Sequence, residues 1–211
     1  MPNYCSNSIV FFSKDKTKLS VFLRKVYAAY DSRKSGFYSL MVLHGYNNRE
    51  IASVIDKRDD FTSCDTSLKM GKDSDTYHFS LETETAWTPH MEAFRKILHE
   101  KYSDTIQMVY ISEECGCEVY INTDTEGMYL PERFVVDCCH YGVFHKEYFD
   151  TFENALEWIS EEYTDLGFSR YDSVAEITDK INAANLQDEG DFFTFHHFEQ
   201  GDSIAGERMV A

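Results

Sequence analysis

The stretch between residues 79 and 124 constrains the fold of this chain more than any other. Residues 79–84 alternate between side chains suited to a core and polar ones, which is the period of a half-buried strand. Thr88 and Pro89 then combine a capping hydroxyl with a residue whose φ already suits a first helical turn. An apolar stripe of helical spacing follows, and two extended segments flank residues 113–117, where a glycine indicates a hairpin turn. The pattern predicts a strand, a helix and two further strands.

Hydrophobic periodicity predicts further elements on both sides of this stretch. In the first half they are strands over residues 8–12 and 61–68 and helices over 17–30 and 48–57, while 37–44 fits either a strand or a helix. In the second half, strands are predicted over 134–138, 146–149 and 192–198. The pairs Asp150/Glu153 and Ser173/Glu176 match the capping box that opens a helix. This mixture of elements predicts an α+β fold.

Charge is distributed unevenly along the chain, whose net charge is −17. Residues 1–112 contain 15 Lys and Arg against 14 Asp and Glu, a net charge of +1, whereas residues 113–211 contain 5 against 23, a net charge of −18. Phosphate contacts depend on Lys and Arg, so the acidic half disfavours direct binding of nucleic acid. It favours a basic protein surface as partner; the alternative is an acidic surface that only keeps the protein soluble.

Composition narrows the class of protein further. With 43% apolar and 15% aromatic residues the chain can bury a core. It has neither an apolar run of the ~18–20 residues that span a bilayer nor a basic-then-apolar leader, so we expect a cytoplasmic protein without a membrane partner. Six irregularly spaced cysteines are then expected to be reduced thiols. Since no nucleophile elbow, phosphate loop or dinucleotide fingerprint occurs, we expect no enzyme activity and no cofactor.

The cysteines indicate an alternative function, based on metal binding or thiol chemistry. Cys115 and Cys117 are two residues apart, which in a strand would direct both side chains to one face. Cys138 could join them, with His140 and His145 close in sequence, since thiolates and imidazoles are zinc ligands. The spacing matches no zinc ribbon or finger. The cysteines therefore leave two interpretations open. They belong to a small zinc- or thiol-dependent protein, or they are buried residues with no chemical role.

The helix that follows Asp150 carries the strongest candidate for a binding surface. Its apolar stripe, which includes Phe152 and Ile159, is expected to face the core. The opposite side would then expose a tryptophan among carboxylates, as protein interfaces do. Like charges one turn apart cost helix stability, which favours a surface that displays negative charge. The candidate partner-binding residues are Glu153, Glu157, Trp158, Glu161, Glu162 and Asp165.

Three other features have structural and functional interpretations. The basic neighbourhood at residues 14–34 fits a solvated helix face better than a nucleic-acid patch, because no stacking aromatics accompany it. Trp87 fits packing where a strand meets a helix better than binding. His196 and His197, on opposite faces of a strand, fit a core or interface pair better than metal ligands.

The N-terminal seven residues, Met-Pro-Asn-Tyr-Cys-Ser-Asn, resemble the start of the Api-like proteins of bacteriophages, plasmids and the bacteria that carry them. Residues 84–89 are similar to the aromatic-Ser/Thr-Pro signature that precedes a helix in that family, and residues 110–114 are similar as well. At 115–117 this chain has Cys-Gly-Cys where the family has a glycine-rich hairpin. The resemblance implies a ferredoxin-like domain and a mobile-element setting, and no known activity.

Together these observations predict an α+β protein in three parts. Residues 1–124 would form a ferredoxin-like antiparallel sandwich, with one face of its sheet covered by helices at 17–30 and 89–102. Residues 125–200 would form an additional acidic α+β lobe, and residues 201–211 a flexible tail. The predicted function is a non-enzymatic, acidic interaction protein of a phage or mobile element. It would inhibit a host nucleic-acid-binding protein, such as a defence nuclease, by occupying its basic surface.

Overall fold

The structure of the protein is a computed structural model that describes residues 3–71, 75–140, 142–185 and 191–201. It contains both helices and antiparallel sheets, which confirms the predicted α+β class. The chain divides into two compact units, with the division after Thr123. In the described part of the chain no helix is long and apolar enough to cross a membrane. The predicted tail at 201–211 lies, apart from Gly201, outside the described residues.

The strand at residues 4–13 lies near the centre of the sheet of the first unit and pairs with a strand on each side. The elements are β1 (Tyr4–Ser13), α1 (Lys16–Tyr30), α2 (Gly36–Leu43), α3 (Asn48–Ala52), β2 (Asp60–Cys64), β3 (Lys69–Met70), β4 (Tyr77–Ala86), α4 (Glu92–Tyr102), β5 (Gln107–Glu114) and β6 (Val119–Asn122). Strands β6, β5, β1, β4 and β2 follow one another across the sheet, each antiparallel to its neighbours, and β3 also pairs with β4. In this register Ile9 lies opposite both Leu81 and Tyr110.

Aromatic side chains hold the helices of the first unit on its sheet. Strand alternation directs Ile9 and Phe11 of β1 to the same side, and the Phe11 ring lies 5.1 Å from Phe22 of α1 and 5.2 Å from Phe94 of α4. Helix α2, the element that the sequence left ambiguous, packs against β2 so closely that a Cβ on Gly36 would overlap the Phe61 ring. One continuous apolar core therefore joins the sheet to all four helices of the unit, with Ile51 as the contribution of α3.

Helix α4 begins later than the sequence predicts. Instead of capping a helix, Thr88 belongs to a turn in which its N–H donates to Ala86 O over 2.8 Å, and the Thr85 hydroxyl donates to Thr88 O over 2.8 Å. Trp87, just before it, has a φ of 70°. The helix begins at Glu92, after an N-cap at Met91 that makes no side-chain cap hydrogen bond. The predicted start at Pro89 is wrong because the strand end is tied into a tight turn.

The predicted hairpin after β5 is present, with a different turn chemistry. Strands β5 and β6 pair antiparallel, and Cys115–Cys117 form a single 3₁₀ turn between them. The Glu114 carboxylate accepts hydrogen bonds from the N–H groups of Gly116, over 3.1 Å, and Cys117. The left-handed residue is Glu118, with a φ of 54°, and not the glycine.

The second unit places two helices on a three-stranded sheet. Its elements are β7 (Phe134–His140), β8 (Val143–Phe149), α5 (Phe152–Glu162), α6 (Val174–Asn185), β9 (Phe192–His197) and the short β10 (Glu199–Gln200). Strand β7 pairs antiparallel with β8 on one side and β9 on the other. The core of this unit contains Val136, Cys138, Ala155, Ile159, Ile177, Ile181, Phe193 and Phe195. The three strands predicted in this half are confirmed.

One of the two predicted capping boxes forms. At α6 the Ser173 N–H donates to the Glu176 carboxylate over 2.7 Å, and the Glu176 N–H donates to the Ser173 hydroxyl over 3.2 Å. At α5 the prediction is wrong by one residue: the cap is the Thr151 hydroxyl, which accepts from the Asn154 N–H over 3.2 Å. Asp150 accepts from the Asn154 side chain instead, over 2.6 Å.

Candidate functional site

The outer side of α5 and the turn after it presents five exposed carboxylates, which we call the acidic face: Glu153, Glu157, Glu161, Glu162 and Asp165. None of them forms a salt bridge with a described residue. Residues 124–200 contain 18 Asp and Glu against 4 Lys and Arg, a net charge of −14, so few cations are available to neutralise them. The acidic face therefore keeps its negative potential in solution.

Trp158 does not lie on the outward side as the sequence predicts. Its side chain is half-buried and packs at the edge of the second core, with its ring centroid 6.0 Å from that of Phe149 at the end of β8. Helical spacing placed Trp158 opposite Phe152 and Tyr163, but β8 approaches this flank of the helix. The prediction is wrong because the apolar stripe of α5 is wider than the sequence pattern implied.

Replacing Trp158 by alanine is expected to lower the free energy of unfolding by about 2 kcal/mol, because the change removes a half-buried indole from an aromatic contact. Urea unfolding followed by circular dichroism measures it. The matched control is Glu157→Ala, one residue away and fully on the surface, which should cost less than about 0.5 kcal/mol. Equal stability of the two variants would contradict the packing role.

The cysteines do not assemble into a site. Cys115 and Cys117 are exposed in a 3₁₀ turn, so the argument that a strand directs them to one face is wrong. A hydrogen bond with Glu114 raises the pKa of the Cys117 thiol, and burial in the second core raises the pKa of Cys138. His140, in turn, is hydrogen-bonded to the Tyr163 hydroxyl. Among the described residues no three His, Cys, Asp or Glu side chains form a group that could hold a metal ion.

The other candidates from the sequence, the basic side chains of residues 14–34 and the histidines of β9, lie on different elements. Within the basic neighbourhood, Lys16 and Lys34 lie over the rings of Tyr77 and Tyr38, at 4.9 and 5.2 Å from their centroids. Such lysines cover aromatic surface on separate parts of the first unit. At the end of β9, His197 is exposed and its ring lies 4.8 Å from Phe134.

A buried carboxylate organises a site that the sequence did not reveal. The Asp59 side chain is 0% exposed and accepts hydrogen bonds from the N–H groups of Asp56, over 2.7 Å, and Ala86, over 3.2 Å. It also lies 3.0 Å from Nδ1 of His90, whose side chain is 31% exposed. The hydrogen bond with Asp59 raises the pKa of His90. Asp59 therefore joins the loop before β2, the end of β4 and the approach to α4.

Trp87 lies beside this pair in an unusual conformation. Its φ of 70° is uncommon for a bulky residue, and such a conformation costs about 1–3 kcal/mol, which the surrounding structure must offset. The indole is 45% exposed, which differs from the packing role expected for it. The Arg58 guanidinium lies 5.8 Å from the centre of its ring. We call Arg58, Asp59, Trp87 and His90 the Trp87 corner, in which Asp59 binds His90 and the N–H of the residue before Trp87, while Arg58 is paired with Asp56.

Two residues of the N-terminal motif have an evident structural role. Asn7 is buried on the core side of β1, and its amide donates to the hydroxyls of Thr83 and Thr85 over 3.2 and 3.0 Å. Its carbonyl oxygen accepts from the Ser112 hydroxyl over 2.7 Å. Cys5 is buried next to it, and burial raises the pKa of its thiol to about 12. These side chains tie three strands together and are closed to ligands.

Comparisons with known proteins add no identification. Neither a family model, nor a curated protein, nor a solved structure matches this chain. The chemistry of its surfaces is therefore the basis for a functional proposal.

Proposed function

We propose that this protein is a non-enzymatic interaction protein whose acidic face binds a basic protein surface. The unpaired state of the acidic face supports the proposal most directly. Glu153, Glu157 and Glu161 follow one another at intervals of four residues, and no described cation pairs with them. Like charges at this spacing destabilise a helix by about 0.2–0.5 kcal/mol per pair. Lys and Arg side chains of a partner would attract these carboxylates and so offset the repulsion between them.

The spacing of the carboxylates favours a nucleic-acid-binding surface as the partner. Four helical residues rise about 6 Å along the axis, and two nucleotide steps of one DNA strand rise about 7 Å, so successive carboxylates match every second phosphate. Basic side chains arranged for a phosphate backbone would therefore meet the acidic face at a similar repeat. The proposed partner is a host nucleic-acid-binding protein, such as a defence nuclease, that a phage or mobile-element protein inhibits by mimicking nucleic acid.

For the first unit we propose a ferredoxin-like fold. The order β5-β1-β4-β2, with every neighbouring pair antiparallel, supports it. So does the chain order, in which α1 follows β1 and α4 lies between β4 and β5. Helices α2 and α3 are then an insertion before β2, and β6 is an added edge strand. The fold carries no activity of its own by this proposal.

Reversing the charge of Glu157 and Glu161 to lysine is expected to leave the fold intact, because both side chains are exposed, and to abolish capture of basic partners. The experiment is a pull-down from host lysate at low and high salt, with the retained proteins identified by mass spectrometry. The matched control is Asp31→Lys/Glu84→Lys, which changes net charge equally at exposed positions of the first unit. Proteins that the control retains and the α5 variant loses should be basic nucleic-acid-binding proteins.

Two outcomes would count against the proposal. If both double variants lose the same proteins, net charge alone explains the capture and the acidic face has no specific role. If the α5 variant retains every protein that the unmodified chain captures at low salt, the acidic face is a solvated surface. Circular dichroism of each variant shows whether the fold has survived the changes.

A further inference from the structure

An open groove lies between α2 and α3 of the first unit. Its volume is about 680 Å³, within the range of about 300–1,000 Å³ typical of small-molecule sites. The floor and sides are mostly apolar and are formed by Tyr38 of α2, by Ile51 and Ala52 of α3, and by Ile55 just after α3, and Ser35 and Asn48 add polar groups. Two lysines, Lys34 and Lys57, line the groove at its polar margin.

Neither ammonium group is neutralised by a described carboxylate, and that of Lys34 lies over the Tyr38 ring, 5.2 Å from its centroid, which places its charge beside the apolar lining. Neither Lys34 nor Lys57 forms a salt bridge with a described residue, although Asp and Glu outnumber Lys and Arg by 37 to 20 in this chain. Asp56, the acidic residue of the lining, is already paired, with its carboxylate 3.2 Å from Nε of Arg58. The groove therefore combines an apolar floor with an uncompensated positive margin.

The walls of the groove are held in place without a ligand. The Tyr38 hydroxyl donates to the Asn48 side chain over 3.0 Å, which links α2 to α3. The loop that carries Asp56 is fixed by Asp59, whose carboxylate accepts the Asp56 N–H and whose backbone carbonyl accepts the Ser35 hydroxyl over 2.6 Å. A preformed site spends little binding free energy on ordering its own residues.

We propose that this groove binds a small anionic amphiphile, a molecule with an apolar body and one carboxylate head. The body would lie on Tyr38, Ile51 and Ile55, and the head would lie between the two lysines. A charge-assisted hydrogen bond from an ammonium to a carboxylate suits this margin, and the apolar floor excludes a purely polar anion. The volume fits a small molecule rather than a helix of a partner protein, which is about 10–12 Å across with its side chains. This inference is independent of the acidic face.

Isothermal titration of the full chain with decanoate, decyltrimethylammonium and decanol tests the proposal, with each probe below its critical micelle concentration. Decanoate should bind with unit stoichiometry, and the cationic probe should not. Lys34→Gln/Lys57→Gln should weaken decanoate about tenfold or more, the loss expected for charge-assisted contacts, and leave weak decanol binding unchanged. Lys14→Gln/Arg24→Gln, which removes the same charge elsewhere on the first unit, should leave decanoate affinity unchanged.

A groove-filling variant provides the second test. Ala52→Phe adds a ring at an exposed position in the groove, so it should abolish decanoate binding while the protein keeps its thermal unfolding midpoint. Unchanged affinity in this variant would place the ligand elsewhere and overturn the site. Equal binding of decanoate and decyltrimethylammonium, no decanoate binding, or binding of an acidic amphipathic peptide in preference to decanoate would each overturn the ligand class.

Discussion

Replacing Asp59 by alanine is expected to lower the free energy of unfolding by about 3 kcal/mol, since each buried hydrogen-bonding group left without a partner costs roughly 1–3 kcal/mol. The change leaves the buried Ala86 N–H and the Asp56 N–H without their acceptor and removes the partner of His90. Each buried donor left unpaired contributes to the cost. Chemical denaturation at neutral pH measures the loss.

The pH dependence of this loss identifies its electrostatic part. The pKa of His90 is raised above its usual 6.5 in the folded protein, so its contribution to stability is complete below pH 6.5 and disappears as pH rises through the raised pKa. The difference in unfolding free energy between the unmodified protein and the Asp59→Ala variant should therefore be larger at pH 6 than at pH 9. His44, whose pKa burial lowers to about 4, acts in the opposite direction, but it is present in both proteins and cancels.

Asp59→Asn is the matched control, since it keeps the size of the side chain and one carbonyl acceptor but removes the charge. It should cost less than Asp59→Ala and should show a weaker dependence on pH. A loss below about 1 kcal/mol for Asp59→Ala would mean that the corner is not held by this carboxylate. So would a loss that is the same at both pH values.

Replacing Asn7 by alanine is expected to cost about 3 kcal/mol, because a buried acceptor and donor disappear together and a cavity remains. The Ser112 hydroxyl, which donates to Asn7 over 2.7 Å, would be left buried without its acceptor. The double variant Asn7→Ala/Ser112→Ala should therefore cost less than the sum of the two single changes. Urea unfolding of the three variants measures this coupling.

The control for Asn7 lies on the same strand. Ser6 is exposed on the other face of β1, so Ser6→Ala should cost less than about 0.5 kcal/mol. Similar losses for Ser6→Ala and Asn7→Ala, or strict additivity of Asn7→Ala with Ser112→Ala, would contradict the described network.

Elements with a long, regular apolar pattern could be predicted from the sequence. Helix α1, predicted over residues 17–30, is observed as Lys16–Tyr30, and the strand predicted from residue 192 is observed as Phe192–His197. In both, apolar side chains recur at the period of the element, so local pattern and tertiary burial agree. Ser173 and Glu176 form the predicted cap because all its partners lie within four residues.

Features that depend on distant residues could not be predicted in this way. Thr88 looked like a helix cap, but Thr85 ties its carbonyl into a turn. Trp158 looked outward because its neighbour Phe149 belongs to another element. Asp59 and His90 are 31 residues apart and meet only because β2 pairs with β4. One feature could have been predicted. Asn7 lies on the same strand face as Ile9, where a buried polar residue must find hydrogen-bond partners.

The sequence predicted the exposed carboxylates of the acidic face correctly and the outward position of Trp158 incorrectly. The carboxylates are exposed as the helical period requires, while Trp158 belongs to the edge of the core. The binding proposal therefore depends on electrostatics alone. It predicts association that is fast and strongly weakened by salt, since exposed charges are screened within a Debye length of about 10 Å at 0.1 M ionic strength.

The most direct test is a titration of a captured basic partner with three forms of the protein at low ionic strength, where surface charges are least screened. Compared with the unmodified chain, Glu157→Lys/Glu161→Lys should bind about tenfold more weakly or worse. Asp31→Lys/Glu84→Lys should bind almost as tightly as the unmodified chain, and double-stranded DNA should compete with the unmodified chain for the partner. Equal affinity of the α5 variant and the unmodified chain would contradict the account.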